Sequence, residues 1–287
     1  MKENDRLVVG AVQMCSTDDV AANMATVGRL VGEAAGRGAE LVVLPECFAF
    51  LGRREGDKMA VAEALDEDYP GPIQEALREL ASRHRVHLIG GGLPERVPED
   101  ERRAYNTAIV IAPDGGVIGR YRKVHLFDVD IPGGATLRES DGTASGTGPL
   151  VVPIGPARVG VTICYDVRFP ELYRRMALDQ GAEVFLVPAA FTAHTGRAHW
   201  HLLLRARAVE DQCWVVAPAQ WGRHNERRES FGHTLVVDPW GTIVGERAEG
   251  DGVVVATIDG AALVKTRRQM PCLTHASLWR GSSGAAL

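Results

Sequence analysis

Three short stretches carry residues whose types could share one reaction: "LPEC" at 44–47, "RKVHLF" at 122–127 and "VGVTICYDVRFPE" at 159–171. Cys164 ends an apolar run, and a thiol becomes an effective nucleophile once a base takes its proton. Glu46, which closes "AELVVLPE", is a carboxylate able to move protons, and Lys123 is a cation able to hold a developing oxyanion. Each residue also has a plain structural reading. Free cysteine is among the most buried residue types. A charged group at a strand end commonly emerges into solvent. Lys123, with Arg120, Arg122 and His125, would make the solvated basic edge of a hairpin. If Glu46 faces a site, strand alternation sends Cys47 to the opposite face as a packing residue. A helix opening at Pro170 is expected to lower the Cys164 pKa.

The elements that must position these residues follow from apolar periodicity and turn residues. "RLVVGAVQM" (6–14) reads as a strand. "DVAANMATVGRLVGEAAGRG" (19–38) reads as a helix capped by Asp19 and stopped by Gly38. "AELVVLPE" (39–46) is a buried strand, "IQEALRELASRHR" (73–85) a helix, and "VHLIGGGLPE" (86–95) a strand ending in glycines. Residues 103–127 read as strand, turn at Asp114-Gly115-Gly116, and strand. In the second half, "LVVPIGPARVGVTICYD" gives two strands about a Gly-Pro turn. Residues 170–181 form a helix with Pro170 in its first turn, and "AEVFLVPAAF" is a strand. Residues 198–213 form a helix, "WVVAPAQ" a strand, and 233–259 a hairpin followed by another strand. "DGTASGTGP" (141–149) reads as a surface loop and "RGSSGAAL" (280–287) as a flexible tail after a single domain over 1–279. One echo stands out: "GAELVVLP" (38–45) and "GAEVFLVP" (181–188) each follow a helix. This suggests a pseudo-duplicated α/β domain with two sheets face to face and helices outside. After the proline the first copy has Glu46 and the second Ala189, so ending the strand does not require a glutamate.

Composition narrows the classes. The 287 residues are 45% hydrophobic with a formal net charge of −5, which argues against a general nucleic-acid binder. No apolar run approaches the roughly 20 residues of a membrane helix, and "MKENDRLVVGAVQM" reads as a strand rather than a signal peptide, so a cytoplasmic location is expected. The five cysteines (15, 47, 164, 213 and 272) include no C-x-x-C pair and read as free thiols. His194, His199 and His201 do not make a zinc site on this reading: the predicted helix start separates them and no carboxylate pattern completes one. His199 and Trp200 are expected to pack or cap that helix.

"LPE", "RKVHLF" and "CYDVRFPE", in this order and each at a strand end, resemble the three signatures of the nitrilase, or carbon–nitrogen hydrolase, superfamily. The resemblance runs from near residue 6 to about 279 and includes "VVGAVQM" and "GHTLVVDPWG". It implies a four-layer α-β-β-α sandwich and a Glu–Lys–Cys triad. Cys164 would be the nucleophile that forms a thioester, Glu46 the general base and acid, and Lys123 with the backbone N–H of Tyr165 the oxyanion partners. Glu139, sixteen residues after Lys123, would orient the lysine or the substrate. Asn106 and Thr192 resemble positions that line the family's pocket, and Arg168, four residues from Cys164, could meet a substrate carboxylate. Arg168 could equally pair with Glu171 or Asp166. The resemblance calls for no metal or organic cofactor, and it implies a homodimer or higher homo-oligomer built through helices such as "ELYRRMALDQ" and "LLLRARAVEDQ".

Segments 125–134, 164–177 and 191–241 are similar to the branch that holds ω-amidases and deaminated glutathione amidases, with the last segment nearer the second. The expected reaction is therefore hydrolysis of deaminated glutathione to 2-oxoglutarate and Cys-Gly, and Arg223, Arg227 and Arg228 would suit its carboxylates. The alternatives are an ω-amidase that releases ammonia from 2-oxoglutaramate or 2-oxosuccinamate, then a carbamoylase or nitrilase. A catalytically silent binding protein on the same fold is the alternative of a different class.

Overall fold

The computed structural model describes residues 1–65, 69–130 and 136–276; the expected tail at 280–287 and the end of the expected domain at 277–279 lie outside them. The first half holds β1 (Arg6–Gln13), α1 (Val20–Gly36), β2 (Leu41–Val43), α2 (Pro72–His84), β3 (His87–Val97), β4 (Asp100–Ile111) and β5 (Val117–Arg122). Three short strands follow: β6 (Asp128–Asp130), β7 (Thr136–Arg138) and β8 (Thr143–Ala144). The second half holds β9 (Leu150–Ile154), β10 (Ala157–Val161), α3 (Pro170–Asp179), β11 (Val184–Leu186), α4 (Ala193–Asp211) and β12 (Trp214–Ala217). It closes with β13 (Trp221–Arg223), β14 (Glu229–Phe231), β15 (Thr234–Val237), β16 (Ile243–Arg247), β17 (Gly252–Asp259), α5 (Gly260–Gln269) and α6 (Cys272–His275).

Two mixed sheets carry the fold. One has the order β17-β1-β2-β3-β4-β5 with β8 beside β4; the other has the order β16-β15-β12-β11-β10-β9. In each, three parallel strands (β1-β2-β3 and β10-β11-β12) are flanked by antiparallel ones. The two echoed segments are the middle strands of these parallel trios, β2 and β11.

Strand periodicity explains the layering. Leu7, Val9 and Ala11 of β1, Leu41 and Val43 of β2, and Val184 and Leu186 of β11 all enter the core between the sheets. Their alternates, among them Val12, Val42 and Leu44, pack under α1 and α2, and Phe185 and Val187 pack under α3 and α4. Strands buried on both faces read as continuous apolar runs, as the sequence does here. The result is the expected four-layer α-β-β-α sandwich. Asp19 caps α1 as expected, accepting from the Ala22 N–H at 3.0 Å. Among the described residues no helix is long and apolar enough to cross a membrane.

The fold corrects three local expectations. α4 starts at Ala193 rather than 198, because Thr192 is the last extended residue and the Gly196 N–H closes the first turn on its carbonyl. The glycines of β3 do not end it; the strand runs through them to Val97. Part of the expected surface loop at 141–149 is β8, with Thr143 and Ala144 buried against β4.

Candidate active site

Each reactive side chain sits just past a strand whose hydrogen-bond ladder continues into it. Leu44 N–H donates to Ile89 O at 2.9 Å and Cys47 N–H to Gly92 O at 3.0 Å, so the β2–β3 ladder carries Glu46 beyond Pro45. Thr162 N–H donates to Leu186 O at 3.1 Å and Cys164 N–H to Pro188 O at 2.9 Å, which extends the β10–β11 ladder to the cysteine. Cys164 then turns at φ +48°, a left-handed conformation that L side chains rarely adopt and that is concentrated at functional sites. β5 delivers Lys123 directly, and its N–H donates to Asn106 O at 2.8 Å.

The glycines of "IGGGLPE" let β3 pass beneath this site. A Cβ on Gly91 would stand 2.1 Å from Leu44 O and 2.4 Å from the Pro188 ring, and one on Gly92 (φ +99°) would stand 2.6 Å from Asn106 Oδ1. The ends of the two echoed strands therefore meet here. Consistent with this, the Ala190 N–H beyond the second copy donates to Glu46 Oε2 beyond the first at 2.8 Å.

Lys123 Nζ lies between two carboxylates: 3.0 Å from Glu46 Oε1, and 3.0 and 2.9 Å from the two oxygens of Glu139. Lys123 is only 2% exposed and Glu46 only 4%. Burial works against the ammonium, but the charges of Glu139 and Glu46 outweigh it and hold the lysine pKa well above its ordinary value. Burial likewise opposes ionisation of Glu139. The Lys123 charge and hydrogen bond, with the Phe127 N–H at 2.7 Å, reverse that and lower its pKa.

The thiol of Cys164 behaves opposite to the helix-based expectation. Burial first, and then the charge of Glu46, push its pKa well above the ordinary value. The start of α3 lies six residues on and does not compensate. At neutral pH the resting group is the thiol, and Glu46 is a carboxylate that could take its proton.

Asn106 donates to Glu46 Oε1 at 2.8 Å and lines the cavity, so it orients the carboxylate as well as forming wall. Thr192 lines the same cavity with its hydroxyl 2.7 Å from that of Thr195. The N–H groups of Cys164 and Asp166 are spent on Pro188 and Ile163 carbonyls. The Tyr165 N–H, in the first turn of the 3₁₀ helix at Cys164–Arg168, has no intrahelical partner, and Tyr165 lines the cavity. Arg168 does not line it. Its guanidinium sits 3.2 Å from His199 Nδ1 and over the rings of Phe191 and Tyr165, and it pairs with neither Glu171 nor Asp166. His199 is exposed there, whereas Trp200 is buried in the core as expected.

Cys47 does line the cavity, contrary to the alternation argument. β2 ends at Val43 and Cys47 has φ +59°, so strand periodicity no longer governs its direction. Burial and the charge of Glu46 push its pKa up to about 12.

Sequence reading also missed the brace beneath the site. Asp166 accepts from Tyr121 Oη at 2.7 Å, His125 N–H at 3.0 Å and Ile163 N–H at 2.9 Å, with His125 Nδ1 also at 2.7 Å. It ties the strand that flanks Lys123 to the turn that carries Cys164. The basic edge around Lys123 is therefore not simply solvated: His125 is held by Asp166 and stacks on Phe169, and Arg122 pairs with the buried Glu95 at 2.6 Å. The only available signal was the position of Asp166 two residues after Cys164.

The cavity measures about 540 Å³. Arg54, Lys58, Arg197, Arg227 and Arg228 line it, whereas Arg223 stands outside and pairs with Glu229 at 3.4 Å. Arg54 and Lys58 arrive on and beside a 3₁₀ helix (Glu55–Val61) that apolar periodicity did not reveal. A cation-rich wall around a carboxylate–lysine–thiol cluster suits an acyl transfer on an anionic substrate.

Comparison with known proteins agrees with this geometry. The chain is 44% identical over 270 residues to a deaminated glutathione amidase of Synechocystis sp., covering 93% of this chain and 97% of that one. The solved structure of the C. elegans NitFhit protein superposes with a TM-score of 0.85 at 41% identity, over 96% of this chain and 66% of that one. Saccharomyces cerevisiae Nit3, a member of branch 10 of the nitrilase superfamily, superposes with a TM-score of 0.85 at 32% identity, over 94% and 97%. The carbon-nitrogen hydrolase family profile matches residues 8–268. The chain belongs to the carbon-nitrogen hydrolase family of the nitrilase superfamily.

Proposed function

We propose that the protein is an amidase that hydrolyses deaminated glutathione through a thioester on Cys164. The supporting observation is the cluster in which Lys123 Nζ contacts Glu46 and Glu139 and the buried Cys164 thiol lies within the fields of Glu46 and Lys123, all on one cation-lined cavity. Glu46 takes the thiol proton as Sγ attacks the amide carbonyl carbon. Lys123 and the Tyr165 N–H hold the oxyanion. Glu46 then gives that proton to the departing nitrogen, and the C–N bond breaks to leave a thioester. Water, deprotonated by Glu46, attacks the same carbon, and the proton returns to sulfur as the C–S bond breaks. Glu139 is a positioning residue: it grips Lys123 with both oxygens and keeps it charged.

The named relative acts, by its name, on deaminated glutathione. That substrate has a carboxylate at each end, which suits Arg54, Lys58, Arg197, Arg227 and Arg228 in the wall. The products are 2-oxoglutarate and Cys-Gly. The test is turnover of deaminated glutathione against 2-oxoglutaramate, following Cys-Gly and ammonia. Preference for the first is expected. Equal or better turnover of the second overturns the substrate reading. No turnover of either, together with no acyl mass shift on Cys164, overturns the mechanism.

A further inference from the structure

A second ligand cluster stands outside the cavity. His201 is on α4, His233 immediately precedes β15, and Glu246 is on β16. His201 Nε2 is 2.8 Å and His233 Nδ1 2.5 Å from the same Glu246 oxygen. The three ligand atoms all lie within 4.8 Å of one another, the one such group of three or more among the described residues. None of the three lines the cavity described above. Of the three histidines weighed in the sequence, only His201 belongs to this cluster; His194 and His199 do not. The carboxylate comes from a strand 45 residues away from His201 in sequence.

The backbone holds the cluster in place. Trp200, next to His201, is fully buried, and its Nε1 donates to the carbonyl of His233 at 2.8 Å. His233 has φ +57°, its N–H donates to Ala248 O at 3.1 Å, and its ring stacks on Phe231 at 4.2 Å. The two imidazole rings lie 4.9 Å apart at 73°, so they converge on the carboxylate from different directions. The side chains are 34%, 26% and 32% exposed for His201, His233 and Glu246, which leaves an entry path and room for solvent.

We infer that His201, His233 and Glu246 form a surface site for a divalent transition metal ion of the zinc type. Two imidazoles and one carboxylate are a standard donor set for such ions, with water in the fourth position. Ligand atoms bound at 2.0–2.1 Å in a tetrahedron stand about 3.3 Å apart, so the Glu246 oxygen needs to withdraw by roughly 0.5 Å from His201 Nε2 and roughly 0.8 Å from His233 Nδ1. The metal takes the lone pairs of His201 Nε2 and His233 Nδ1, and each neutral ring carries its proton on the opposite nitrogen. The ion then links α4 to the β15–β16 hairpin.

The test is a titration of the full chain with Zn²⁺, in a Cys164→Ala background so that the cavity thiol does not compete. Co²⁺ replaces Zn²⁺ in a parallel arm, where tetrahedral binding shows in the visible spectrum. One ion per chain is expected. His201→Ala and Glu246→Gln should each weaken binding by roughly tenfold or more. At a hundredfold excess over Kd, Zn²⁺ should raise Tm by about 5 °C only where the cluster is intact. Glu246→Gln keeps side-chain volume, and its circular dichroism reports folding. Cys272→Ser should leave binding unchanged. No binding up to about 1 mM overturns the inference, as does binding unaffected by His201→Ala and Glu246→Gln, or binding that follows Cys272.

Discussion

Replacing Glu46 with glutamine separates the two roles of this carboxylate. Its Oε1 accepts from Asn106 and Lys123 at 2.8 and 3.0 Å, and its Oε2 from the Ala190 N–H at 2.8 Å. All three partners are donors, so the amide NH₂ of a glutamine faces a donor in either orientation. Loss of one charge-assisted hydrogen bond costs about 2 kcal/mol, a Tm drop of roughly 4–8 °C. The variant stays folded. Its amide hydrolysis should fall by roughly 10²–10⁴-fold, the worth of a positioned general base. Alkylation of Cys164 should move the other way. The Glu46 charge helps hold the thiol pKa up while Lys123 lowers it, so removing the carboxylate lowers that pKa and raises the thiolate fraction. The assay pairs steady-state amide turnover with iodoacetamide labelling of Cys164 at pH 7.5, read by mass spectrometry. Turnover within tenfold of the parent refutes Glu46 as the base. Labelling that falls in step with turnover refutes its part in keeping the thiol protonated.

Cys164→Ala should abolish turnover with the fold intact, whereas Cys47→Ala should keep roughly a third or more of the parental kcat, because the thioester is proposed on Cys164 and Cys47 only forms part of the cavity wall. Comparable losses in the two variants would reassign the reaction. Arg168→Ala, outside the cavity, should leave KM for deaminated glutathione within about threefold; a tenfold rise would give it a substrate contact. Gly92→Ala forces a Cβ onto Asn106 at φ +99° and should cost about 2 kcal/mol of stability along with most of the activity, read by thermal unfolding and turnover. The Glu139–Lys123 pair sets a pH window. Glu139 titrates below its unfolded 4.5, so its stabilisation is present above pH 4.5 and lost as pH falls through the folded value. Lys123 titrates above its unfolded 10.5, so its share is present below pH 10.5 and lost as pH rises through the folded value. Tm against pH should therefore drop less steeply on the acid side in Glu139→Gln than in the parent. Parallel curves would show that the pair contributes nothing.

Much of this protein is legible in one dimension. Continuous apolar runs in β1, β2 and β11 declare strands buried on both faces. The echo of 38–45 in 181–188 declares two sheets, and the order of Glu46, Lys123 and Cys164 at strand ends points to the family. Periodicity works there because each residue's neighbours are set by the repeat of its own element. Tertiary structure alone decided what happens where elements end. Cys47 turns into the cavity because the chain leaves strand geometry after Val43. The Cys164 thiol is held protonated because burial and Glu46, 118 positions away, outweigh any helix dipole. Asp166 braces two strands, and His201 finds Glu246, through contacts spanning 41 to 45 residues. Local spacing carries no record of such contacts. Charge, hydrogen bonding and desolvation act over a few ångströms in space, and the folded chain alone determines which distant residues come that close.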